Sequence, residues 1–187
     1  MNKVQFNDTD QSFSDAVKNA VTEYFRINNM DKSGNLELYT KAMVFIPLAA
    51  GLYLLILLGQ YSFWSGVFLF FALGAVFSLI AVNVMHDACH GSFSENRSVN
   101  YLVGLTMNAL GSNAFLWKVR HTIHHTFTNI DGVDHDIDNW PLLRQSPTQP
   151  WKPAHRFQYL YMFPIYAFST IEWMLVSDIN KYFSGKV

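Results

Sequence analysis

The stretch FWSGVFLFFALGAVFSLIAVNVMHDACH, residues 63–90, decides the fold, because it joins a long apolar run directly to two histidines. It belongs to a still longer run, since no Asp, Glu, Lys or Arg occurs from Ala42 to His86. A helix needs about 20 apolar residues to cross the hydrocarbon core of a bilayer. The sequence therefore predicts two spans, at about 42–58 and 63–85, joined by a turn at residues 59–62.

Composition and charge predict an all-α integral membrane protein. Half of the 187 residues are hydrophobic and only 14% are charged, against about 25% in soluble domains. Residues 1–38 are predicted to be a cytoplasmic arm with an amphipathic helix, and residues 39–187 a membrane domain. Lys and Arg precede the first span and follow the second, but none lies in the turn between them. By the positive-inside rule this multi-pass protein has its N-terminus and its histidine-rich region on the cytoplasmic side.

Five of the seven histidines lie at helical spacings between residues 86 and 125. His86 and His90 are four residues apart, and His121, His124 and His125 form an HxxHH pattern. Residues three or four apart share a helix face, and neutral imidazole is the commonest metal ligand. His124 and His125 diverge by about 100° around a helix, which favours two ions, with His121 siding with either. Imidazole suits Zn, Cu, Fe and Ni, so the pattern alone does not choose the metal.

Two further segments are weaker candidates for membrane helices. Residues 99–117 are uncharged but contain Asn and Gly. If the histidines on both sides of this segment share one metal site, it cannot cross the bilayer once, so it is predicted to be an interfacial or cavity-lining helix. Residues 157–176 are aromatic-rich but include Pro164. This segment remains open between a third span and a helix on the membrane surface.

An aspartate-rich segment, NIDGVDHDID at residues 129–138, follows the second histidine group. Carboxylates near metal-bound histidines accept the second ring N–H and fix the tautomer. The candidates for supporting the histidines in this way are Asp87, Asn129, Asp131, Asp134 and Asp136, and His135 is a candidate further ligand. The alternative for each aspartate is a solvated acidic loop. The net charge of −1 leaves no basic surface for nucleic acid, and the lone Cys89 is expected to be a packing residue.

Two other functions compete for these patterns. A zinc hydrolase is one, because His86-Asp87-Ala88-Cys89-His90 shares the spacing of HExxH, with Asp87 at the general-base position. It leaves the second histidine group unexplained. A non-enzymatic membrane metal-binding or transport protein is the other, although transporters place ionisable residues within their spans, and the predicted spans here have none before His86.

The two histidine groups resemble those of the integral-membrane fatty acid desaturases, whose pattern is an HxxxH box, an HxxHH box and a later HxxHH or QxxHH box. Residues 86–90, HDACH, match the first box, and residues 121–125, HTIHH, match the second. The sequence TFTN that follows, with its aspartate-rich tail, is similar to the bacterial linoleoyl-CoA and front-end desaturase branch. The likeness runs from about residue 35 to the end.

The resemblance implies a di-iron centre held by His86, His90, His121, His124 and His125, which uses O2 and two electrons to introduce a double bond into a fatty acyl chain. The substrate would be an acyl-CoA or an acyl-lipid, and a separate ferredoxin or cytochrome b5 type carrier would supply electrons. Membrane lipid is the other expected partner. No third box is matched within residues 1–187. The chain is therefore expected to be the N-terminal part of a desaturase, incomplete at its C-terminus and inactive by itself.

Overall fold

The computed structural model describes residues 11–137 and 141–184, and within them it contains helices and no strand. The α-helices are α1 Gln11–Ile27, α2 Leu36–Leu58, α3 Phe63–Ile80, α4 His86–His90, α5 Arg97–Gly104, α6 Thr106–Ala109, α7 Ala114–Thr126, α8 Gln158–Glu172 and α9 Asp178–Ser184. Two π-helical turns, Ala81–Met85 and Trp173–Ser177, and two 3₁₀ turns, His135–Ile137 and Pro153–Phe157, join some of them. The all-α prediction is confirmed for the described residues.

The two longest helices form the predicted hairpin. Asn35 caps α2 by accepting a hydrogen bond from the Leu38 N–H, and Ser62 caps α3 in the same way from Ser65. On α2 the residues facing α3 are spaced alternately four and three apart, which places them on one seam as in a coiled coil; they are Leu38, Ala42, Phe45, Ala49, Leu52 and Ile56. On the other side Leu73, Val76, Ile80 and Val84 fill the seam.

The outer faces of this hairpin are apolar and uncovered. Two continuous helical segments, Leu36–Leu58 and Phe63–His90, are long and apolar enough to cross a membrane. Only 11% of an 18-residue apolar stretch in the first, and 22% of one in the second, is buried. Phe68 and Phe71, for example, are 72% and 77% exposed. Contiguous exposed apolar surface of this size marks a membrane or protein contact.

A π-helical turn connects the second of these helices to the first histidine box. Over Ala81–Met85 the backbone bonds run five residues back, and the His86 N–H donates to the Ala81 carbonyl. Asn83, the one amide in the apolar run from 63 to 85, donates its side-chain N–H to the Leu79 carbonyl at 3.0 Å. An inserted π turn rotates everything after it about the helix axis. His86 and His90 therefore continue the second long helix, rotated about its axis by this turn.

The prediction of one helix over residues 99–117 is wrong. The segment is divided among α5, α6 and the start of α7. Gly111 ends the α6 turn at φ 95, and Asn113 starts α7 by accepting hydrogen bonds from the Phe115 and Leu116 N–H groups. A left-handed glycine followed by an N-capping asparagine breaks a helix in this way. Each piece is too short to span a bilayer, as the shared-site argument requires.

The remaining segments lie outside the hairpin. Residues 157–176 form α8 and a π turn, and neither is among the two candidate spans found in the described residues. The turn approaches α7, where the Arg120 guanidinium lies 4.5 Å from the centre of the Trp173 ring. The predicted N-terminal amphipathic helix is α1, whose apolar stripe of Phe13, Val17 and Val21 is exposed.

Candidate metal centre

The two histidine boxes face each other on α4 and α7. His86 and His90 lie one turn apart at the end of the long second helix, and His121 and His125 lie one turn apart on α7. One donor atom from each of these four imidazoles falls within a group whose members are all within 4.8 Å of one another. The structure thus brings together four of the five predicted ligands.

The imidazole nitrogens are spaced for one ion. The Nε2 atom of His121 lies 3.0 Å from Nε2 of His86 and 3.0 Å from Nε2 of His125. Two nitrogens that bind one ion at about 2.1 Å and at about 90° to each other are about 3.0 Å apart. The donor set therefore fits a transition metal between the two helices.

A second side chain of α7, Trp117, packs against the His121 imidazole. The Trp117 ring stacks on the His121 imidazole with centroids 4.2 Å apart and an interplanar angle of 20°. Burial, together with the neighbouring His125, His86, His90 and His124, lowers the pKa of His121 to about 4. The ring is consequently neutral at physiological pH, which is the protonation state that binds a metal.

His124 turns to a different partner, as the divergence of adjacent helical residues predicts. Its Nδ1 lies 3.0 and 3.1 Å from the two carboxylate oxygens of Asp134, whose side chain is fully buried. A carboxylate only accepts hydrogen bonds, so Nδ1 carries the proton and Nε2 keeps its lone pair. The second carboxylate near this ring is that of Asp136, with an oxygen 3.6 Å from His124 Nδ1.

Asp134 is fixed by the loop that follows α7. Asn129 adopts a left-handed conformation at φ 61, and its N–H donates to Asp134 Oδ2 at 2.8 Å, while the Asp136 N–H donates to Oδ1 at 3.0 Å. Burial alone would raise the pKa of Asp134, but these backbone bonds and His124 outweigh it and hold the pKa below its ordinary value. The carboxylate therefore stays ionised behind His124.

The first box has a similar contact between a carboxylate and an imidazole, at a longer distance. The Asp87 carboxylate lies 3.3 Å from Nδ1 of His86, on the side of the ring away from His121. In both boxes a carboxylate lies beside Nδ1 of a histidine, which leaves the Nε2 lone pair free to bind a metal. Asp87 therefore lies against the His86 imidazole.

Other predicted residues lie elsewhere. His135 is exposed and belongs neither to the group of four imidazoles nor to the group of His124, Asp134 and Asp136; it lines a cavity with Arg120 and Trp173. Asp131 hydrogen-bonds the Thr148 hydroxyl and no imidazole. Asp138, in the same acidic segment, lies outside the described residues.

Several residues hold the site in a way that was not predicted from the sequence. Trp117 stacks on His121, and the Arg120 guanidinium lies 3.8 Å from Asp136. Asn100 is buried and fastens the loop after His90, accepting from the Ser94 N–H and donating to the Gly91 and Ser94 carbonyls. For Asn100 the sequence offered one signal, an asparagine inside an otherwise apolar segment, because a buried amide needs hydrogen-bond partners.

Comparisons with known proteins agree with this geometry. The sequence matches the family model described as "Fatty acid desaturase" over residues 61–186. It is 31% identical over 169 residues to the sn-1 linoleoyl-lipid 6-desaturase of Arthrospira platensis, covering 90% of this chain and 46% of that protein. It is 29% identical over 185 residues to the acyl-lipid (8-3)-desaturase of Physcomitrium patens, covering 95% and 38%.

A third relative, the acyl-lipid (7-3)-desaturase of Rebecca salina, is 39% identical over 113 residues, covering 58% of this chain and 24% of that protein. No solved structure matches the chain significantly. The chain spans 46% and 38% of the first two relatives, so it corresponds to half of their length or less. The match over residues 61–186, which contains both histidine boxes, shows that this chain belongs to the fatty acid desaturase family.

Proposed function

We propose that this chain supplies the first two histidine boxes of a membrane di-iron site that desaturates the acyl chain of a lipid. The observation that carries the proposal is the convergence of four imidazoles from two separate helices, with donor atoms all within 4.8 Å of one another. The names of the relatives, all acyl-lipid or linoleoyl-lipid desaturases, support an acyl-lipid over an acyl-CoA substrate.

In this proposal His86, His90, His121 and His125 would hold one iron, and Nε2 of His124 would be a donor to the other. Bound iron would supply the activation of O2 that removes two hydrogens from an unactivated acyl chain, with two electrons from a separate carrier. The protein's own residues orient the donors. Asp87 and Asp134 would fix the ring tautomers, and Trp117 would set the plane of His121. The distribution of Lys and Arg around the apolar hairpin supports a centre at the cytoplasmic surface of the membrane.

Iron binding is the direct test. The purified chain is reconstituted with Fe(II) without oxygen, passed over a chelating resin, and analysed for retained metal. We expect His121→Ala to lose most of the iron, because two other imidazoles lie 3.0 Å from its Nε2. His135→Ala is the matched control and should retain wild-type iron. A chain that retains only zinc, or whose iron survives His121→Ala, contradicts the proposal.

Activity is tested in a chimera. Residues 1–187 are joined to the part of the Arthrospira platensis relative that follows the matched region, and are expressed in a host that supplies an electron donor. We expect a new double bond in the host's lipids, detected by gas chromatography, and its loss with His124→Ala. His135→Ala again serves as the control. An active chimera that is indifferent to His124→Ala would show that the second box does not act as proposed.

A further inference from the structure

A cavity of about 690 Å³ lies between the end of α4, α5 and the start of α7. Its apolar lining includes Ala88, Cys89, Gly104 and Ala114, and its charged lining consists of Arg97 and Lys118. Among the described residues no aspartate or glutamate lines it. Two cations without an acidic partner favour an anionic ligand.

Two asparagine side chains of this cavity, Asn108 and Asn113, offer hydrogen-bond donors to it. The side-chain oxygen of Asn113 accepts from the Phe115 and Leu116 N–H groups, and that of Asn108 accepts from the Ala114 N–H. These bonds orient both amides, since the oxygen must face the backbone N–H. Within the described part of the chain, no acceptor meets either NH2 group, and Arg97 and Lys118 have no ion-pair or hydrogen-bond partner. These two cations and two amide donors suit the oxygens of a phosphate.

The cavity adjoins the imidazole cluster. On α7 the residues Ala114, Lys118, His121 and His125 are spaced four, three and four apart, so they lie along one helix face. On α4 the cavity residues Ala88 and Cys89 come between His86 and His90. Lys118 and His125 are about 10 Å apart along the helix at 1.5 Å per residue. A phosphate held at Lys118 would leave room for a few acyl carbons before the imidazoles.

We propose that Arg97 and Lys118, with the amides of Asn108 and Asn113, bind the phosphate of a phospholipid head group and so admit phospholipids as acyl carriers. The inference deepens the proposed function and rests on it for the identity of the ligand as a substrate. The proposed site would discriminate between acyl carriers, because a glycolipid has no phosphate group to bind Arg97 and Lys118.

The test uses Cys89, the single cysteine of the chain, as a reporter inside the cavity. The metal-free chain is placed in bilayers of phosphatidylglycerol or of uncharged digalactosyldiacylglycerol, and the rate of alkylation of Cys89 by N-ethylmaleimide is measured. A basic side chain near an anionic lipid contributes about fivefold in affinity. We therefore expect alkylation to be about 25-fold slower in phosphatidylglycerol, and Arg97→Gln or Lys118→Gln each to remove about fivefold of this protection.

Lys152→Gln, which removes a cation outside the cavity, is the matched control and should leave protection unchanged. Phospholipid that copurifies with each variant is counted by mass spectrometry, so the result stands even if Cys89 reacts slowly in every bilayer. Equal protection by the two lipids, with equal lipid counts in the Arg97→Gln/Lys118→Gln variant, overturns the proposal. Protection of the glycolipid sample by inorganic phosphate alone, to the same degree, would overturn its assignment to a lipid.

This assay needs neither iron nor an electron donor. A negative result therefore leaves the desaturase proposal standing, with another head-group site. Conversely, phospholipid protection of Cys89 in a chain whose chimera makes no double bond would support the phosphate site and contradict the desaturase proposal.

Discussion

Replacing Asp134 by Asn should weaken metal binding through His124 without removing any ligand. The carboxylate accepts three hydrogen bonds, from His124 Nδ1 and from the Asn129 and Asp136 N–H groups. An amide has one acceptor atom and one donor group, so at least one of these N–H donors would face the new NH2. If that donor is His124, the proton moves to Nε2 and blocks the metal.

The expected magnitude follows from this geometry. Loss of a hydrogen-bonding carboxylate behind a ligating histidine costs about 10- to 100-fold in metal affinity, which is about 1.4 to 2.8 kcal/mol. The fully buried position of Asp134 places the expected loss at the upper end. Folding should suffer as well, by about 1–3 kcal/mol for a buried donor left without an acceptor.

The assay is a competition titration of the purified chain with Co(II), followed by the metal's visible absorption. Unfolding of the metal-free chain is measured in parallel, so that lost stability is not mistaken for lost affinity. Asp131→Asn is the matched control, because Asp131 lies in the same loop but bonds Thr148. Affinity within twofold of the wild type in a folded Asp134→Asn chain would refute the role of this carboxylate.

Asn100→Ala should lower the free energy of unfolding by about 3 kcal/mol, measured by denaturant titration, because three backbone groups lose a buried partner. The metal-free chain should lose stability as pH falls from about 6.5 to about 4, because His121 binds its proton at a higher pH in the unfolded chain than in the folded one. This loss of stability should be smaller in His121→Ala, and an equal loss in that variant would refute His121 as its cause. In a Cys89→Ala background, cysteines placed at Ser62 and Asn96 should be labelled from opposite sides of the membrane, and labelling from one side would overturn the hairpin topology.

The apolar hairpin and the candidate ligands could be predicted from the sequence, because both depend on local spacing. Absence of charge from Ala42 to His86 gave the two long helices, and the four-residue separations of His86 with His90 and of His121 with His125 gave two pairs on helix faces. A helix fixes the relation of residues one turn apart whatever surrounds it.

Tertiary structure decided how those pairs meet and what supports them. Three features depend on backbone hydrogen bonds that residue spacing does not encode. They are the rotation introduced by the π turn at Ala81–Met85, the break of 99–117 into short helices, and the loop that brings Asp134 to His124. The same holds for the choice among the aspartates: Asp134 reaches an imidazole and Asp131 does not, although both lie within ten residues of His125. Carboxylates in a loop are chemically equivalent in the sequence, and only the path of the backbone, here through the left-handed Asn129, determines which one is buried against the ring.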